Sequence, residues 1–358
     1  MAINLRTAKA LGLAVPTTLL ALADDRMMQR REFITLIGGA AAAGSVLWPL
    51  AARAQASPKR PTIAWISGGT RQVAASFIEN FLRGMKELGY VEGRNFDMLY
   101  RFTDGYQERL PALTEEVVRL KPDIILATAA ISAVAARKLT STIPIVTPAL
   151  ADAVHLGLIA SEARPGGNIT GIEPYVAGLP AKQIEFAREM VPVASKIGLL
   201  TDLKDPKAPA QAQELEASAR AAQIKIVSAD ATQPDDLDGA LRILSDQSAD
   251  VVIVLQTSML LAYAPRIAAS ALERRLPTVY GYREHVVAGG LISYGVDLRW
   301  CFYRGAYFVD RILRGTAPGD LPIEFPTKMF LSVNLKTASI LGITVPPTLL
   351  AVADEVVE

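Results

Sequence analysis

From about residue 61 onward, short apolar runs alternate with longer amphipathic stretches. Thr62-Ile63-Ala64-Trp65-Ile66 reads as a buried strand, Ser67-Gly68-Gly69 as a tight turn, and residues 73–88 as a helix stopped by Gly89. The cycle repeats with strands over 95–101, 123–127 and 143–146 and helices over 108–120 and 132–139. Pro165-Gly166-Gly167-Asn168 interrupts it, and after Ile169-Thr170-Gly171-Ile172 the rhythm begins afresh. Helices over 182–190, 210–222, 237–244 and 260–274 then alternate with strands over 196–200, 224–228, 251–255, 276–280 and 291–294. Strands and helices alternating at this spacing call for right-handed crossovers and parallel sheets covered on both faces. The expected fold class is α/β, with two doubly wound parallel-sheet lobes. Residues 300–313 read as a further helix, 315–322 as a linker and 329–333 as a leftover strand. If that helix and strand return to the first lobe, lobe 1 is 60–172 plus 297–345, lobe 2 is 173–296, and 346–358 is a tail helix.

The first 54 residues follow a different pattern. Met28-Gln29-Arg30-Arg31-Glu32-Phe33-Ile34 precedes an Ala/Gly-rich apolar stretch over 35–50 and then Ala52-Arg53-Ala54-Gln55, the order of parts of a signal peptide. The paired arginines point to the twin-arginine export signal, with residues 27–54 as the leader and cleavage near Ala54. The apolar run ends at Trp48-Pro49, short of the roughly 20 residues a spanning helix needs. The expected location is the periplasm. Residues 3–25 also align without gaps on residues 333–355, with 14 identities in 23 positions. A repeat at opposite ends of a chain cannot stack as a solenoid. Residues 1–26 are therefore expected to be the tail of a tandem paralogue, read in frame from a misassigned start.

Composition removes several classes of function. Fifty-one per cent hydrophobic residues in 358 suit packed lobes, and Lys+Arg 37 against Asp+Glu 36 gives a formal charge of +1. Residues 1–54 hold six Lys/Arg and three Asp/Glu, which leaves 31 and 33, a charge of −2, on the exported chain. Nucleic acid is not an expected partner. One cysteine, Cys301, and two histidines, His155 and His285, provision poorly for zinc or a His-based triad. No cofactor, metal or catalytic residue is expected. Cys301 reads as a packed apolar residue, His285 as a solvated surface group or a gate contact, and Glu115-Glu116 and Asp235-Asp236 as solvated helix faces or caps. The Gly166-Gly167-Asn168-Ile169-Thr170-Gly171 string lacks the spacing of a nucleotide loop and reads as a turn at a lobe crossing.

Four strings carry a resemblance. GMKELGYVEGR (84–94), ARPGGNITG (163–171), AGGLISYG (288–295) and DLPIEFPTKMFLSVNLKT (320–337) together resemble the ABC-transporter substrate-binding protein family that includes tryptophan- and tyrosine-type binders. The resemblance covers about 60–358. It implies the type I periplasmic-binding-protein fold, two lobes joined by three hinge crossings, a small solute in the cleft, and ABC permease subunits in the inner membrane as partners. The family's Gly-Asp-Pro-Val is here Ala151-Asp152-Ala153-Val154, which keeps the acid but loses the rigid proline. Hinges are expected around 171–175, 294–297 and 318–321, in a monomer.

Ligands of open α/β sheets sit beyond the carboxyl ends of strands, where helix N-termini offer unpaired N–H groups. The candidate ligand-binding residues are accordingly Ser67, Gly68, Gly69, Thr128, Ala129, Thr147, Asp152, Tyr175, Asp202, Thr257, Ser258, Tyr280 and Tyr282. Ser67, Gly69 and Thr128 are expected to grip a carboxylate, Asp152 or Asp202 to meet an ammonium, and the tyrosines to flank an apolar side group. Each hydroxyl reads equally well as a helix cap, and each tyrosine as a core residue. The expected function is capture of an amino acid or related carboxylate, an aromatic one favoured, by hinge closure. Alternatives are a regulator's ligand-sensing domain and an α/β enzyme using the cleft.

Overall fold

The computed structural model describes residues 60–174 and 178–358. The leader, the repeat's first copy and Tyr175 lie outside the described residues. The first sheet holds β1 (Thr62–Ser67), β2 (Asp97–Phe102), β3 (Ile124–Ala127), β4 (Ile145–Thr147) and β5 (Ile169–Gly171), all parallel, in the order β2-β1-β3-β4-β5. Between them run α1 (Arg71–Glu87), α2 (Leu110–Arg119) and α3 (Ala130–Leu139). β1 is a near-continuous apolar run because helices cover both faces of its sheet, and Ile63, Ala64, Trp65 and Ile66 are fully buried.

The second sheet contains β6 (Lys196–Thr201), β7 (Lys225–Asp230), β8 (Val251–Val254), β9 (Thr278–Tyr280), β10 (Ile292–Val296), β11 (Met329–Asn334) and β12 (Glu355–Val357). Its order is β12-β11-β10-β9-β8-β6-β7. Its helices are α4 (Leu179–Met190), α5 (Ala208–Ala221), α6 (Leu237–Asp246), α7 (Ser258–Ala262), α8 (Ala264–Glu273) and α9 (Arg283–Val287). The two-lobed α/β fold expected from the periodicity is therefore present.

Helix α10 (Leu298–Leu313) does return to the first lobe, where Cys301, Phe302, Phe308 and Val309 join the core of Trp65, Phe77 and Phe81. The strand after it does not. Met329–Asn334 pairs antiparallel with β10, from Ile292 opposite Val333 to Val296 opposite Met329, and so extends the second sheet. The boundary that assigned 297–345 to lobe 1 is thus corrected: β11 and the following α11 (Leu335–Leu341) belong to lobe 2. A strand adjacent in sequence to a lobe-1 helix carries no local mark of which sheet edge it will pair with. The tail is likewise more than a helix, since α12 (Pro347–Val352) leads into β12, parallel to β11. The chain crosses between lobes three times, after β5, between β10 and α10, and between α10 and β11. The first and third crossings touch, because Glu173 N–H donates to the Glu324 carbonyl and Glu324 N–H to that of Gly171. That contact lies beyond the 318–321 segment expected to hinge; there Gly319 instead accepts from Gly166 N–H.

Candidate functional site

Each sheet has one place where the strand order reverses: between β1 and β3 in the first, and between β6 and β8 in the second. Loops diverge there and leave a crevice beyond the strand ends. In this chain the two crevices face each other across a cleft. Lobe 1 lines it with Ser67, Gly69 and Thr70 after β1 and with Thr128 and Ala129 after β3. Lobe 2 contributes Lys207 after β6, Thr257 and Ser258 after β8, and Tyr282 after β9.

The hydroxyls combine capping with lining. Ser67 Oγ accepts from Gly69 N–H at 3.1 Å, Thr70 Oγ1 caps α1 through Val73 N–H at 3.3 Å, and Thr257 Oγ1 caps α7 through Leu260 N–H at 3.3 Å. Helix α3 begins after Ala129 without a side-chain cap, which leaves its first N–H groups to other partners. The cap reading and the ligand reading of these residues are therefore compatible.

The apolar wall comes from lobe 1. Phe302 on α10 stacks on Trp65 of β1 (centroids 5.1 Å, 23°) and on Phe77 of α1 (4.8 Å, 12°), and all three line the cleft with Leu298, Val73 and Ala74. Leu261 and Ala262 face them from lobe 2.

Three charged groups lie buried at the lobe 2 wall. Asp205 accepts from the N–H groups of Lys207 (3.2 Å) and Ser258 (3.4 Å), and burial pushes its carboxyl up. Asp202 accepts from Gln107 Nε2 at 2.8 Å across the cleft; burial and then the Asp205 charge push its carboxyl up to about 7. For Lys207, burial opposes the ammonium, but Tyr282 and Asp205 outweigh it and hold the group above its ordinary value. Burial also pushes the Tyr282 phenol up.

The lobes touch around this cleft. Tyr263 Oη donates to the Asp104 carbonyl at 2.8 Å, and a Cβ at Gly68 would sit 3.2 Å from that of Ser258. Gly68 is thus an approach point for the opposite lobe, and its carbonyl accepts from Thr103 Oγ1 at 2.9 Å.

Of the candidate residues, Ser67, Gly69, Thr128, Ala129, Thr257, Ser258 and Tyr282 meet in the cleft, with Gly68 and Asp202 at its edge. Three others are elsewhere. Thr147 is fully buried, its backbone paired with β5 and Ile172. Asp152 adopts a left-handed φ of 50° and lines a separate cavity with Glu173, Gln211 and Glu214. Tyr280 belongs to the lobe 2 core, stacked on His285 at 4.4 Å. It cannot flank a ligand there, because its ring is fully enclosed in that core. His285 is neither solvated nor a gate: it is 2% exposed, and burial lowers its imidazole to about 4. Cys301 is packed as expected, its thiol pushed up by burial. Asp236 caps the turn before α6 with Gln233, and Glu116 pairs with Arg101 at 2.5 Å. Sequence reasoning missed Lys207, Trp65, Phe77 and Phe302. The signal for Lys207 was present: the loop after β6 that carries Asp202 continues through Asp205-Pro206-Lys207 to α5.

Two α/β lobes with opposed switch points around a cleft define a two-lobed solute-binding protein. The family model described as ABC transporter substrate binding protein matches residues 66–357, and the chain belongs to that family. A tyrosine-binding protein of Clostridioides difficile is 24% identical over 259 residues, covering 72% of this chain and 74% of that protein. A conserved domain protein from Vibrio cholerae superposes with a TM-score of 0.77 at 26% identity, over 83% of this chain and 100% of that one. A Streptococcus pneumoniae ABC domain, solved in complex with L-Trp, gives the same TM-score of 0.77 and the same coverage of 83% and 100% at 20% identity, a likeness of fold. Among the described residues, no helix is long and apolar enough to cross a membrane.

Proposed function

We propose that the protein is the exported, periplasmic receptor of an ABC importer, which captures a small carboxylate bearing an aromatic group and delivers it to membrane permease subunits. The observation that carries this reading is the cleft itself, where polar loop ends and helix N-termini from both sheets adjoin the Trp65–Phe302–Phe77 stack. Ser67, Gly69, Thr128 and the N-terminus of α3 are assigned to the carboxylate. The aromatic wall and Tyr282 are assigned to the side group. A ligand bridging the lobes favours the closed arrangement only through contacts the open one lacks, and the cleft supplies them from both sides. The twin-arginine-like leader supports export, and the protein acts as a monomer. Its role is binding, not catalysis.

A thermal-shift screen of the purified protein against amino acids, aromatic acids and other small metabolites tests this. A ligand that binds only the native state raises apparent stability, by about 2.7 kcal/mol at one hundred times its Kd. A carboxylate is expected to raise Tm in a concentration-dependent way. Turnover of a substrate, with no small solute raising Tm, would overturn the reading.

A further inference from the structure

The lobe 2 wall of the cleft holds unequal numbers of buried charges. Asp202 and Asp205 are fully buried and Lys207 is 6% exposed, so two carboxylates share one ammonium. Lys207 interacts with Tyr282 and Asp205 more than with Asp202, and Asp205 also accepts from two backbone N–H groups. Asp202 has less to hold its charge: Oδ2 accepts from Gln107 Nε2 at 2.8 Å, and Oδ1 is buried with no hydrogen-bond partner. A buried carboxylate without a cation of its own is costly, and the group avoids that cost by taking a proton.

The elements packed around Asp202 do not supply that cation. Burial is the largest effect on its carboxyl, and Asp205 beside it and Asp230 at the end of β7 add to it. The Thr257 hydroxyl ahead of α7 and the Lys204 N–H favour the charged form but are outweighed, which leaves the carboxyl at about 7. The Lys204 side chain is exposed. Lobe 1 covers Asp202 with the short turn 107–109 ahead of α2, where Gln107 is neutral, Glu108 is exposed and Arg109 pairs with Asp104 at 3.8 Å. Gln107 belongs to the opposite lobe, so this cover leaves with lobe 1 when the cleft opens.

We propose that closing the lobes over Asp202 draws one proton from solvent onto its carboxyl, so that ligand capture is coupled to proton uptake. This rests on the receptor reading above, since it needs a ligand that brings the lobes together. In the open arrangement water reaches Asp202 and stabilises the carboxylate. In the closed one Gln107 seals the group, and the neutral acid is favoured because burying it costs less than burying the charge. The closed form therefore keeps the Asp202 proton to a higher pH than the open form does. Proton uptake favours closure at low pH, and that advantage is lost as pH rises through about 7. The protein thus holds its ligand more tightly in mild acid and yields it more readily at neutral pH and above.

Isothermal titration at pH 5.5 and 7.5, each in two buffers of different ionisation enthalpy, counts the protons taken up on binding. The probes are phenylalanine, tyrosine, tryptophan and the three corresponding arylpropanoates, whose own charge is nearly constant between those pH values. A probe that binds should bring close to one proton per site at pH 5.5 and much less at pH 7.5. Its affinity should be about tenfold or more higher at pH 5.5, within the limit of about tenfold per pH unit that one proton sets. Asp202→Asn imitates the neutral acid. It should take up no proton and bind at both pH values about as tightly as the wild type does at pH 5.5. Asp202→Ser provides a second variant without a titrating group, and the unliganded Tm of each reports whether it folds. Binding without proton uptake, uptake that persists in a folded variant, or a folded variant that no longer binds overturns the proposal and leaves the receptor reading standing. If none of the six probes binds, the aromatic carboxylate of the receptor reading fails first and the proposal falls with it.

Discussion

Asp202 shows how the cleft's lobe 2 wall trades stability for position. Its carboxyl is fully buried, and burial and then the Asp205 charge push it up to about 7 from an ordinary 3.8. Between those values the folded protein holds a proton that the unfolded chain has released. Its stabilising contribution is therefore present in full below about pH 4 and lost as pH rises through about 7. Asp202→Asn keeps an acceptor for Gln107 and removes the charge. Its Tm should exceed that of the wild type by a few degrees at pH 8, with the gap narrower at pH 5, as thermal melts at the two pH values would show. Residues at this scale were legible where the physics is local. Ser67, Thr128, Thr257 and Ser258 follow apolar strands directly, and that position alone marks them. Trp65 and Phe302 were not legible, because a buried aromatic on β1 and another on α10 read as ordinary core until the chain brings them together at 5.1 Å. Tyr280 failed for the converse reason: it ends β9 enclosed in the lobe 2 core against His285, and only beyond the strand does Tyr282 reach the cleft.

At the scale of elements, α10 is the piece on which the site depends most. It crosses back from lobe 2 and packs along α1, where Gly84 permits the close approach: a Cβ there would lie 2.5 Å from the Tyr303 carbonyl oxygen and 2.9 Å from Ala306 Cβ. Backbone cannot yield as a flexible side chain would. Gly84→Ala should cost about 1–3 kcal/mol, the range for overpacked cores, read as a lower urea midpoint at unchanged m-value. A wild-type midpoint would show that the two helices have more room than the packing indicates. The rhythm of strands and helices was legible because parallel strands buried on both faces are short apolar runs and their covering helices are amphipathic. The sheet to which β11 belongs was not, since antiparallel pairing with β10 is a long-range choice made after an intervening lobe-1 helix.

For the whole molecule, the lobes meet through few polar contacts, chiefly Tyr263 to Asp104 and Gln107 to Asp202. Such contacts exist only when the lobes are together, so they act on ligand release more than on the stability of either lobe. Tyr263→Phe removes one hydrogen bond with a net worth of about 0.5–1.5 kcal/mol. Ligand dissociation measured by stopped flow should accelerate about 2- to 10-fold, with Tm of the unliganded protein unchanged. An unchanged off-rate would mean that the contact plays no part in holding the lobes closed. The central claim is that a carboxylate ligand lies between the two switch points. A crystal structure of the protein with the ligand that raises Tm most in the thermal-shift screen tests it most directly. The account predicts the carboxylate within hydrogen-bonding distance of Ser67, Thr128 and the N-terminus of α3, with the apolar group against Phe302. Ligand density in the cavity of Asp152, Glu173 and Glu214, or on the outer surface of either lobe, would contradict it.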